Sequence, residues 1–98
     1  MRAYMCRDVK LGGCIVEVKN IDDALRYMNE ITVDAPGLYI YNDVGKGSHI
    51  AKEDIGGLIT FLMVWKEKMK GEEDGDHVRK LIRWWLKYHS RFEEVDEL

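Results

Sequence analysis

The segment 53–70 is apolar around most of a helical circumference, which restricts the fold more than any other feature of the chain. Ile55, Leu58, Ile59, Leu62 and Met69 recur at helical spacing along one stripe. Phe61, Val64 and Trp65 carry apolar surface well beyond that stripe. A helix of this kind must be covered on most of its sides, so a sheet cannot be its only neighbour. The final helix or a second copy of the chain has to cover another side. Glu53 and Asp54 in the first turn, and Lys66, Lys68 and Lys70 in the last, suit the helix dipole.

The remaining segments supply that sheet and that helix. Residues 2–9 read as a strand, Lys10-Leu11-Gly12-Gly13 as a turn, and 14–19 as the returning strand. In the return, Cys14, Val16 and Val18 alternate with Glu17 and Lys19. Asn20 is placed to cap a short helix over 21–31, with Asp23 in its first turn and Ile21, Ala24, Leu25, Met28 and Ile31 on one face. Asp34-Ala35-Pro36-Gly37 breaks the chain. The strand signal at 38–41, LYIY, comes next, then a turn at 42–47 and a short fourth strand at 48–51. After a loop at 71–75, Asp76 caps a last helix over 76–94, with Val78, Leu81, Ile82, Trp85, His89 and Phe92 as its packing face. The expectation is an α+β fold. It has a small, mostly antiparallel sheet of three or four strands, one short helix and a C-terminal helical hairpin from 53–70 and 76–94. All 98 residues form a single domain, with 93–98 as a frayed acidic tail.

Charge and cysteine usage narrow the class. A formal charge of −3 argues against both a histone-like basic protein and an acidic nucleic-acid mimic. The longest apolar run, 58–65, falls far short of the roughly 20 residues that span a bilayer, and residues 1–6 do not open a secretory signal. A soluble, cytoplasmic protein is expected, with no membrane partner. A hairpin closed at Gly12-Gly13 sets Cys6 opposite residues 17–19, too far from Cys14 for a bridge, so both read as free thiols. Two cysteines with seven residues between them and three scattered histidines match no metal spacing, and neither a metal nor a cofactor is expected.

No constellation announces catalysis. Ser48 and Ser90 lack a nucleophile-elbow setting, and nothing places Cys6 beside His49 as a thiol–imidazole pair. Gly45-Lys46-Gly47-Ser48 has neither the order nor the spacing of a phosphate loop, and reads as a hairpin turn. Gly56-Gly57 costs a helix about 1 kcal/mol per glycine, which close approach to a strand or a partner would offset. An anion at that helix start is the sharper alternative, and Glu53 and Asp54 oppose it.

The stretch 77–92, HVRKLIRWWLKYHSRF, contains no acid, while acids crowd both of its ends. Arg79, Lys80, Arg83, Lys87 and Arg91 point away from the packing face, and Trp84 and Tyr88 lie four apart on the same flank. Together these seven residues are the expected partner-binding surface. The bland account is a solvated face whose cations pair with the neighbouring acids. The functional accounts are a protein partner, or nucleic acid held by phosphate contacts and ring stacking. Phe61, Val64 and Trp65 form an expected self-association surface, giving a homodimer, because one small fold has little left to cover them.

The run Ile50-Ala51-Lys52-Glu53-Asp54-Ile55-Gly56-Gly57-Leu58-Ile59-Thr60-Phe61-Leu62, after its strand and turn, resembles small accessory proteins of phages and mobile elements. In those a strand leads through Lys-Glu-Asp into a Leu-Ile-x-Phe-Leu helix. The likeness covers about a quarter of the chain. It implies a small, non-enzymatic protein of the host cytoplasm, similar in type to anti-CRISPR inhibitors, that binds and modulates a larger host or defence protein.

Overall fold

A computed structural model describes residues 2–7, 15–31, 37–69, 74–89 and 94–95. The expected turn at 10–13, Cys14, residues 34–36, most of the 71–75 loop, Arg91 and Phe92 lie outside the described residues. Five strands, β1 (Ala3–Cys6), β2 (Ile15–Val18), β3 (Gly37–Asn42), β4 (Gly47–Ala51) and β5 (Glu94–Val95), form one sheet in the order β2-β1-β3-β4-β5. Every neighbouring pair is antiparallel. Three helices complete the α+β fold, namely α1 (Ile21–Ile31), α2 (Lys52–Met69) and α3 (Gly75–His89).

Pleating and register sort the strand residues onto two faces. Val16 and Val18, Ala3 and Met5, Leu38 and Ile40, and Ile50 share one face. That face packs into a single core with Ile21, Ala24 and Met28 of α1, Ile55, Leu58 and Leu62 of α2, and Val78, Ile82 and Leu86 of α3. All three helices therefore cover the same side of the sheet. α3 crosses β2, β1, β3 and β4, while α1 and α2 pack most closely on each other. Tyr4, Cys6, Tyr39, Tyr41 and His49 lie on the opposite face.

Local chemistry explains the element boundaries. Asn20 Oδ1 accepts the Asp23 N–H at 3.0 Å, and Asp23 Oδ2 accepts the Lys19 N–H at 2.9 Å, a reciprocal cap on α1. The turn between β3 and β4 is held by Asn42, whose Oδ1 accepts the Val44 and Lys46 N–H groups at 3.2 and 3.0 Å. Gly45 sits there at φ 78°, a left-handed conformation that glycine adopts without strain, so Gly45-Lys46-Gly47-Ser48 is a hairpin turn.

Four expectations about boundaries and register need correction. Cys6 pairs with Ile15, nearer the turn than the expected residues 17–19, and Val16 and Val18 still share the core face. The cap of α3 is Asp74, whose Oδ1 takes the His77 N–H at 2.8 Å, because Asp76 already lies inside the helix. α3 is described as far as His89, and Glu94 and Val95 are strand, so the helix does not reach 94. Glu94 and Val95 then pair with Ser48 and Gly47, so these two residues extend the sheet instead of fraying.

Candidate functional site

The core-facing side of α3 is turned from its expected position towards Arg79 and Leu86. Val78, Arg79, Ile82 and Leu86 are buried, Leu81 and Trp85 are half-buried, and His89 is exposed. Close approach at the start of the helix sets this rotation. A Cβ on Gly75 would collide with the Val18 carbonyl, so only glycine lets α3 enter there. Compact aliphatic side chains then meet the sheet, and the large rings fall to the flank beside α2.

Arg79 is consequently not part of a contact surface. Its side chain is only 8% exposed, and its Nε donates to Asp76 Oδ1 at 2.9 Å. A half-buried carboxylate beside it neutralises the guanidinium, which is how a helix can bury an arginine. Burial pushes the Asp76 carboxyl up, but the hydrogen bond and charge of Arg79, with Lys80, outweigh that and hold it below its usual value. Lys80 Nζ also reaches Asp76 Oδ2, at 3.4 Å, so part of the expected cationic face is compensated within α3. Arg83 and Lys87 are exposed, and the Lys87 ammonium sits 6.0 Å from the centre of the Tyr88 ring.

The rings converge across the two helices. Phe61 of α2 stacks on Trp84 with centroids 5.9 Å apart and lies 6.4 Å from Trp85. Trp65 is 6.1 Å from Phe61, and Tyr88 is 5.2 Å from Trp84. Gly57 makes room for this meeting, since a Cβ there would come within 3.1 Å of Trp85 Cζ2. The helix glycine thus accommodates a ring of the neighbouring helix, rather than a strand. Gly56, beside it, has open space around it.

Between α2 and α3 lies a largely apolar groove of about 400 Å³, lined by Trp65, His77, Lys80, Leu81 and Trp84. Trp84 is 49% and Tyr88 64% exposed, so the rings are available at its rim although packed against one another. Lys68 Nζ lies 5.5 Å from the Trp65 ring centre. Two sets of residues that the sequence separates, Phe61 and Trp65 on one helix and Trp84 and Tyr88 on the other, therefore build one surface. Val64 does not join them. It is exposed with Met63 on the outer side of α2, which no described residue covers. Sequence reasoning missed His77, and assigned Leu81 to the core. The signal that finds both is the recurrence of 77, 81, 84 and 88 along one flank of a helix.

Elsewhere the geometry separates the groups that chemistry would need together. Tyr39 pairs with both Cys6 and His49, so a whole strand lies between that thiol and that imidazole. Ser48 is buried in β4. Among the described residues no group of three or more histidine, cysteine, aspartate or glutamate side chains could hold a metal ion. No described helix is long and apolar enough to cross a membrane. Compared with models of known families, with curated proteins and with solved structures, the chain matches none.

Proposed function

We propose that this chain is a non-catalytic binding module that docks on a larger protein and modulates it, with inhibition as the direction of the effect. The groove between α2 and α3 receives an acidic, amphipathic segment of that partner. The observation that carries this reading is the Trp84–Tyr88 pair, exposed by about half or more, with Trp84 lining an apolar trough that Lys80 also lines, and with Lys68 beside the Trp65 ring and Lys87 beside the Tyr88 ring. Exposed tryptophan and tyrosine rings held in fixed positions are typical interface anchors, because they bury much area for little lost freedom. The lysine rim selects acidic character and speeds the encounter. This is the role implied by the resemblance to accessory proteins of phages and mobile elements, and it belongs in the cytoplasm of the cell acted upon.

Nucleic acid fits the same surface less well. Lys80 is paired with Asp76, and Arg79 is buried, so fewer cations than expected remain to meet phosphates. Self-association through Phe61, Val64 and Trp65 is likewise weakened as a reading, since Phe61 is stacked on Trp84 and Trp65 is partly buried against the core, which leaves Val64 alone of the three exposed.

The test is capture from lysate, with and without nuclease, by wild type and by a variant combining Trp84→Ala and Tyr88→Ala. The expected result is one protein retained after nuclease and lost by the variant, with affinity reduced by roughly thirtyfold or more. Capture abolished by nuclease, or equal retention by the variant, would overturn the reading.

A further inference from the structure

The two edges of the sheet are treated differently. At one edge the chain covers the first two residues of β4, by pairing Val95 with Gly47 and Glu94 with Ser48. At the other edge β2 pairs with β1 alone, and no described residue takes the backbone groups on its far side. In an antiparallel pair every second residue of β2 turns both its N–H and its C=O outward. A row of such groups is a template for one kind of occupant, another extended backbone.

That edge also has a groove beside it. A cleft of about 450 Å³ separates β2 from α1, lined among others by Val16, Glu17, Asp23, Arg26, Tyr27 and Glu30. Asp23, Arg26, Tyr27 and Glu30 are spaced to present one flank of α1 along the strand. Val16 and the almost fully buried Tyr27 provide an apolar floor. Arg26, with its side chain 68% exposed, and the exposed Glu30 provide charged walls. Asp23 is already committed, taking the Lys19 N–H and standing 3.4 Å from Arg26 Nη1, so it fixes the wall and leaves recognition to its neighbours.

We propose that β2 and α1 form a second docking site, which takes an extended peptide of a partner protein as an added strand on β2. Backbone pairing holds the peptide, and its alternate side chains enter the cleft against Val16, Tyr27 and Arg26. A second copy of this chain is the less suitable occupant. Its own β2 runs into α1 after two residues, so it would bring a helix to a cleft that offers room for a strand. The site is separate from the groove between α2 and α3, and either one can fail without the other.

A random dodecapeptide library selected on the intact, immobilised protein supplies the probe. The best selected peptide is then measured by fluorescence anisotropy, alongside two versions N-methylated at odd or at even positions. One methylated register should weaken binding by about tenfold or more and the other should leave it nearly unchanged, because only alternate amides face β2. Amide chemical shifts should move at Ile15–Val18 and along 23–30, and Arg26→Trp, which fills the cleft, should abolish binding. Failure to enrich any peptide would overturn the proposal. So would equal effects of the two methylated registers, or shifts confined to α2 and α3. These last results leave the reading of the aromatic groove standing, so the two sites are tested apart.

Discussion

The two sides of α3 use the same helix for opposite purposes. Towards the sheet it presents Val78, Ile82 and Leu86, each at most 1% exposed, in contact with strands that leave no room for larger groups. Towards α2 it presents Trp84 and Tyr88, which are half exposed or more and touch other rings without being enclosed. Small side chains hold the helix in place, and large ones remain outside. Size alone would suggest the reverse, since aromatic rings bury the most apolar area per residue. The rings at the flank therefore keep about half or more of their surface outside the fold.

The comparison is open to direct attack, and the expected effects fall in order of size. Ile82→Ala removes a fully buried side chain and should cost about 3 to 4 kcal/mol in urea unfolding; a cost below about 1 would mean that side is not the core. Gly75→Ala should cost about 3 kcal/mol, because the added methyl meets the Val18 carbonyl and must push α3 off β2. Arg79→Met should cost about 2 kcal/mol, since it strips a charged hydrogen bond from Asp76 where water cannot fully replace it. Gly56→Ala, with nothing near the added methyl, should instead stabilise the protein by up to about 1 kcal/mol. Trp84→Ala is expected to change stability by no more than about 1 kcal/mol, well short of Ile82→Ala, while removing partner capture. If it destabilises as strongly, the flank is core and the comparison fails.

Acid provides a further check on the Asp76–Arg79 pair. The carboxyl of Asp76 lies below its ordinary value of 3.8 in the folded chain, so the pair's stabilisation is fully present above that value. It is lost as pH falls through the lower folded value. Wild type should therefore lose this contribution only below about pH 4, and Asp76→Asn should remove that part of the acid dependence in unfolding experiments.

Much of the architecture was readable in advance. Alternation in 14–19, the Asn20 and Asp23 pair, and the turn chemistry of Asn42 to Gly45 are local signals, and the elements they mark are present. The site was half readable. Trp84 and Tyr88 stood out as exposed rings on a cationic helix, and Phe61 and Trp65 as apolar surplus on another; the two helices were expected to pair, but the order of residues does not say which of their side chains meet. The misplacement of Arg79 and His89 has the same origin, whereas Leu81 packs against the core as expected. Helical periodicity defines a face only to within a residue or so, and contact with Val18 and Ala3 at Gly75 decided the angle.

What the sequence determined by itself were the elements and their caps, because turns, capping boxes and hydrophobic periods are settled within a few residues of chain. It also determined that 53–70 needed more than one neighbour. Only the tertiary structure decided that β1 lies between β2 and β3, that all three helices share one face, and that α3 carries its aromatic flank against α2. It alone left β2 at an edge beside a cleft. Those outcomes depend on which surfaces compete for the same buried area, and that competition is resolved between segments far apart in the chain.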